Sequence, residues 1–209
     1  MAPVTSHIAL AALLGMLVAG CGGGSDRATS PTETGTTTTD AVTTTAPPSV
    51  ERYLLQADEV PGLEPMSSPQ TDSGEPFPLP TDGAEQLRRS GYISTTYQPA
   101  QGDRGAGVSS VLLFDTEAGA RDWMTYETSD RLIQHQIPGT RIERFQVPGV
   151  PGATGWTGPD LHGNAIGHVY WTQGRCMLLI GLEVEGPRVE RLSAGATAVY
   201  ERTGGTCPD

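Results

Sequence analysis

Nine consecutive residues, Cys176 to Val184 (CMLLIGLEV), are apolar at nearly every position. A strand with one wet face alternates apolar and polar residues. An unbroken apolar run bounded by turn residues therefore marks a strand covered on both faces, the centre of a sheet. Ala165 to Thr172 precedes it across Gln173 and Gly174, a hairpin spacing. A second hairpin is read from Tyr92 to Tyr97 and Val108 to Phe114, which flank the polar turn Gly102, Asp103, Arg104 and Gly105. Ile142 to Val147 is one further strand, whereas Val147 to Gly155 (VPGVPGATG) is broken by proline and glycine into a loop or a bulged edge.

Helices are expected between and after these strands. Ser49 is a candidate N-cap for a short helix through Tyr53, Leu54 and Leu55. Glu64 to Pro80, with its prolines, reads as a long loop. Asp82 with Glu85 forms a capping-box pattern for a second short helix that closes at Gly91. Thr116 caps a third, running to about Asp130, with Ala120, Trp123 and Met124 inward and the pairs Glu117/Arg121 and Glu127/Arg131 outward. The last helix has Pro187 in its first turn and Gly204 just past its end. Val189, Leu192, Ala196 and Val199 form its apolar stripe. The whole order implies an α+β domain, a mostly antiparallel sheet with helices packed on it.

Only part of the chain can take part in that fold. From Gly22 to Val50 the composition turns to Gly, Ser, Thr and Pro with almost no apolar residue. Such a segment cannot offset its ordering entropy by burial. As a coil its roughly 28 residues span about 29 Å, and stretched toward polyproline geometry nearer 87 Å, so it reads as a stalk. A Thr/Pro tract of this kind is either O-glycosylated or a plain linker. What remains, Ser49 to Asp209, is about 160 residues, the size of one domain able to bury an ordinary core without a cofactor.

Ahead of the stalk, Ile8 to Val18 (IALAALLGMLV) is an apolar run too short to span a bilayer but fit for the h-region of a signal peptide. Leu17, Val18, Ala19, Gly20 and Cys21 follow, and they resemble the lipobox of bacterial lipoproteins. The resemblance implies a leader over 1–20, acylation of Cys21, a tether over 21–48 and a membrane-anchored extracytoplasmic domain over 49–209. No Lys or Arg precedes the apolar run, which departs from the usual positive n-region.

Export bears on the other two cysteines. Eight strand steps from Cys176 to Val184 cover roughly 26 Å, and a helix from Pro187 to Thr203 returns about 24 Å. Cys207 thus comes back level with Cys176, and a disulfide between them is expected in an oxidising compartment.

The formal net charge is -11 and all 13 basic residues are Arg, which disfavours nucleic-acid binding. Motifs for chemistry are sparse. His162 and His168 with Asp160 match no zinc spacing, and no metal or cofactor is expected. There is no G-x-S-x-G elbow and no phosphate-binding glycine loop. Cys176 beside His168 reads better as half of a disulfide than as a nucleophile. Trp156, His168 and Trp171 are left as the residues best placed to line a groove. A groove of that kind suits a small-molecule, lipid or protein partner.

Taken together, the lipobox, the Thr-rich stalk, the Arg-only basic set and the Cys176/Cys207 pair are similar to secreted lipoproteins of mycobacteria and related actinobacteria. The domain from Ser49 onward also resembles, more distantly, the extracytoplasmic sensor-type domains of that group. The resemblance implies a non-enzymatic ligand- or partner-binding domain. Its single expected disulfide differs from the kinase-linked forms, so signalling is not carried over. A cell-envelope hydrolase, with His168, Asp160 and a hydroxyl in one cleft, and a structural envelope protein are the alternatives.

Overall fold

The computed structural model describes residues 50–74, 79–80, 82–103 and 105–207. The expected leader, Cys21, the tether and the cap at Ser49 lie outside the described residues.

One antiparallel sheet organises the domain. Its strands are β1 (Glu64–Pro65), β2 (Gln70–Asp72), β3 (Tyr92–Gly102), β4 (Gly105–Phe114), β5 (Glu143–Gln146), β6 (Thr154–Pro159), β7 (Ala165–Gln173) and β8 (Cys176–Val184). They lie in the order β1-β3-β4-β8-β7-β6-β5, with β2 also pairing with β3. The apolar run is the central strand, buried at every position except half-buried Glu183. Helices cover both of its faces, as its composition requires.

Three short strands depart from the expectation. β1 and β2 form inside the segment read as a loop, where proline confines them to the sheet edge. β6 begins at Thr154, within the tract taken as a loop or edge. It is held between β5 and β7, and its glycine admits a close neighbour: a Cβ on Gly155 would lie 2.3 Å from the Phe145 ring.

The helices are α1 (Gly83–Arg89), α2 (Glu117–Glu127), α3 (Asp130–Gln136) and α4 (Arg188–Thr203), and the described residues before β1 include a 3-10 turn at Glu51–Tyr53 rather than a longer helix. Thr116 caps α2 by accepting from Gly119 N at 3.0 Å. Asp82 does not cap α1; its carboxylate pairs with Arg131 at 2.6 Å. The single long helix expected after Thr116 is broken in two. The Thr128 and Ser129 hydroxyls turn back onto Met124 O and Tyr126 O at 2.8 and 2.6 Å, and Ser129 then starts α3 by accepting from Leu132 N. Arg121 pairs with Glu117 at 2.9 Å as expected. Glu127 instead turns inward and is buried, and its expected partner Arg131 goes to Asp82.

α4 ends at Gly204 in the left-handed conformation, φ 64°. Leu192, Ala196 and Val199 are buried, but Val189 is exposed, because the stripe that meets the sheet runs through Leu192, Gly195, Ala196, Val199 and Thr203. The returning helix brings Cys207 to Cys176: the two are disulfide-bonded with Cα atoms 5.7 Å apart, within the usual span of such a bridge.

Two apolar layers result. On one face α4 and the Tyr53–Leu55 turn pack against Val111, Val169, Trp171, Leu178 and Ile180. On the other, α1, α2 and α3 pack against Leu112, Phe114, Tyr170, Met177 and Leu179.

Candidate functional site

The sequence-based groove residues divide between these layers. In a strand, side chains three apart point to opposite faces, so His168 and Trp171 cannot share one. Trp171 is buried under α4. The expected grouping of Trp156, His168 and Trp171 is corrected to Trp156 and His168, joined by Tyr170 on the α1–α3 face.

These three residues form one cluster. Trp156 on β6 lies directly opposite His168 on β7, and the rings stack with centroids 4.7 Å apart and planes at 17°. Tyr170, two residues along β7, places its hydroxyl 3.0 Å from His168 Nδ1. Although His168 is half-exposed as a residue, its ring is packed deeply enough that desolvation pushes its pKa down to about 4. Burial likewise raises the Tyr170 hydroxyl well above its ordinary value, reinforced by the nearby Glu127 carboxyl.

Glu127 is the residue that sequence reasoning misplaced. It closes α2, is buried, and has Oε2 without a hydrogen-bond partner among the described residues. Burial pushes its pKa up to about 8, so the protonated form predominates at neutral pH. The indole N–H of Trp156 is also fully shielded and makes no hydrogen bond of good geometry. Its neighbouring acceptor is the Tyr170 hydroxyl. The i,i+4 spacing of Glu127 and Arg131 suggested a surface pair; only the helix break at Thr128–Ser129, visible as two adjacent hydroxyl residues, hinted otherwise.

Beside the cluster the sheet face continues beyond the residues that pack under the helices. His168 pairs with Gly181, and Gly181 with Val108. Ile166 and Glu183 lie further along, and Tyr97 and Pro99 stand on the β3 side. Tyr97, Pro99, Ile166, His168 and Glu183 are each half-exposed. Burial raises the Glu183 pKa, and the negative Asp160 adds to the rise.

The hydrolase constellation is not assembled. Asp160 sits in the β6–β7 turn, where Oδ1 accepts from His162 N and Asn164 N at 2.8 and 2.7 Å, and Oδ2 accepts from Asn164 Nδ2 at 2.9 Å. Slight burial opposes its ionisation, but these hydrogen bonds outweigh it and hold the carboxyl below its ordinary value. Its hydrogen bonds close its own turn, while His168 Nδ1 is engaged by Tyr170. Among the described residues no three His, Cys, Asp or Glu side chains group as a metal site.

The arrangement combines stacked aromatic rings, polar groups shielded from solvent and a half-exposed strip of sheet. Comparison with known proteins bears on the fold. No family model matches the chain, and neither does any curated protein sequence. Among solved structures, the chain is similar to the extracellular domain of PknH from Mycobacterium tuberculosis, at 17% identity and TM-score 0.51, over 73% of this chain and 93% of that one. A putative uncharacterized protein from Mycobacterium smegmatis, an Rv0999 ortholog, aligns at 11% identity and TM-score 0.41, over 68% of this chain and 89% of that one. The first likeness shows a shared α+β fold at a sequence distance where nothing else is shared by default.

Proposed function

We propose that the protein is an extracytoplasmic, lipid-anchored lipoprotein of mycobacterial type whose folded domain binds a ligand or partner without catalysing a reaction. The observation that carries the binding reading is the Trp156–His168–Tyr170 cluster. It concentrates a shielded and unpaired indole N–H, a neutral imidazole and a buried hydroxyl at the edge of a half-exposed sheet face. Polar groups with unmet hydrogen bonds are costly in a core and recur where a ligand completes them. An uncharged His168 bonded to a tyrosine rather than a carboxylate favours binding over general-base catalysis. The shared fold with an extracellular domain supports the compartment, as does the disulfide.

In this reading residues 1–20 are the leader, Cys21 carries the lipid, 21–48 form the tether and 49–209 the binding domain. Among the described residues no helix is long and apolar enough to cross a membrane. Cys21→Ala is expected to release the protein from the membrane fraction, because stable attachment needs the two-signal anchor that lipid on this cysteine provides. A variant that still sediments with membranes after a high-salt wash overturns the anchor. For the domain, native mass spectrometry of protein recovered from envelope extracts is expected to show a bound small molecule or lipid that is lost in His168→Ala. Identical spectra from both proteins would refute binding at this cluster.

A further inference from the structure

We infer that Thr203 to Cys207 form a redox latch: Gln173 keeps Cys207 seated beside Cys176 when their bridge is open, Cys207 exchanges with an external disulfide, and Cys176 completes the bond. This device lies on the α4 face of the sheet and is independent of the binding reading.

Both fasteners belong to one hairpin end. Gln173 ends β7, Cys176 begins β8, and the two are paired across the turn. β7 supplies an amide and β8 a thiol, and both meet the segment that returns after α4. Gly204 and Gly205, at φ 64° and 68°, turn the chain there, a conformation glycine adopts at little cost. A Cβ on Gly174 would lie 3.4 Å from Cys207 Cβ, so the segment rests against the hairpin turn itself.

The orientation of the Gln173 amide follows from its partners. The side chain is buried at 2% exposure. The Trp171 indole N–H can only donate, and the Thr206 carbonyl can only accept. Gln173 Oε1 therefore accepts from Trp171 Nε1 at 3.2 Å, and its Nε2 donates to Thr206 O at 3.1 Å. Thr203 Oγ1 gives its proton to Val199 O at 2.8 Å, which leaves it to accept from Gln173 Nε2 at 3.1 Å. One shielded side chain thus ties the sheet to both ends of the 203–206 turn. Opening that turn breaks two bonds of a buried amide, a cost that does not depend on the state of the sulfurs.

The two cysteines differ in access. Cys176 is fully shielded at 0% exposure, whereas Cys207 is half-buried. A small disulfide such as oxidised glutathione therefore meets Cys207 first. The Cys207 thiolate attacks one sulfur of the reagent, breaks its S–S bond and releases one glutathione thiolate. The Cys176 thiolate then attacks the Cys207 sulfur of the mixed disulfide and releases the second. Two protein thiols are oxidised, one glutathione disulfide is reduced, and the two protons pass to the departing thiolates. The Cα atoms stand 5.7 Å apart in the bridged form, so a seated Cys207 needs no further travel to close it.

Oxidised glutathione is applied to the folded full-length chain, and each cysteine is read by the mass of its peptide. Cys176→Ser is expected to accumulate the mixed disulfide at Cys207. In Cys207→Ser, Cys176 is expected to label about tenfold or more slowly by comparison, because the seated turn shields it. Adding Gln173→Leu to Cys207→Ser is expected to speed the labelling of Cys176 about tenfold, on the order of one buried hydrogen bond lost. Adding Ile133→Val instead, which trims the opposite layer, is expected to leave that rate unchanged. Equal or faster labelling of Cys176 than of Cys207 overturns the order of attack. No acceleration by Gln173→Leu, or the same acceleration by Ile133→Val, overturns the latch. Should Gln173→Leu not fold, Thr203→Val, which removes the hydroxyl acceptor and keeps the shape, takes its place with the same outcomes.

Discussion

The two faces of the sheet are built from different materials. Under α4, Trp171, Leu178, Ile180, Leu192 and Val199 interlock around a buried Tyr53, with no buried carboxylate or histidine in the cluster. Under α1–α3, aliphatic packing shares the layer with the buried Glu127 and the half-exposed His168 beside Tyr170. A core needs only the first arrangement. The second carries shielded polar atoms that an apolar residue would remove at no loss to packing. One face is closed apolar packing; the other keeps buried polar groups at a cost that, under the proposed binding role, a ligand would offset.

The comparison can be broken from the stable side first. Trp171→Ala under α4 is expected to cost about 3 to 5 kcal/mol, the range for emptying a buried aromatic site, whereas Trp156→Phe on the opposite face should cost well under half of that by removing an unpaired N–H while keeping a ring. Urea melts of both variants decide, and equal losses would erase the distinction.

Next in size is the bridge at the end of that same face. Cys207→Ser is expected to lower stability by about 3 to 4 kcal/mol, since Cys176 and Cys207 close a loop with sequence separation 31. Thermal melts with and without reductant read this directly. A midpoint unchanged by reductant would mean that α4 is held by packing alone.

Smallest, and specific to the polar face, is a dependence on pH. The Glu127 pKa is about 8 in the fold against an ordinary 4.5, so the folded protein keeps a proton that the unfolded chain gives up. Its stability contribution is full below the ordinary value and is lost as pH rises through about 8. His168 acts on the other side: its pKa is about 4 against 6.5, the unfolded chain protonates first, and stability falls as pH drops through that interval. Glu127→Gln is expected to leave stability at pH 5 nearly unchanged and to raise it by about 1 to 3 kcal/mol at pH 8, flattening the alkaline limb. Denaturant titrations across this range would show the face to be ordinary if both proteins follow one curve.

The sheet was legible wherever hydrophobic pattern and turn chemistry agreed. The unbroken Cys176–Val184 run gave the central strand, and the four-residue turn around Asp103 gave the β3–β4 hairpin. β6 was hidden because its glycine exists to admit the Phe145 ring, a tertiary reason with no local signature. The α2–α3 break was hidden for a related reason: Thr128 and Ser129 act through hydrogen bonds to the preceding turn, which compete with helix only once α3 has somewhere to pack. For the site, strand parity already set His168 beside Tyr170 and against Trp171. Glu127 could not be found, since a carboxylate i,i+4 from an arginine looks like a surface pair until the fold hands the arginine to Asp82.

Arg202, near the end of α4, grips the opening of the domain. Its guanidinium holds Glu59 at 2.8 and 2.9 Å, donates to Leu54 O at 2.8 Å and also donates to Arg52 O. The disulfide fixes the chain just beyond it to the first residue of β8. On the proposed tethering, any tug arriving from the membrane enters here and is discharged into α4 and the start of the central strand. His168 pairs five residues further along β8, on the opposite side of the sheet. Under that proposal a pull would be borne by the Arg202 clasp and the disulfide, on the side of the sheet away from the Trp156–His168–Tyr170 cluster.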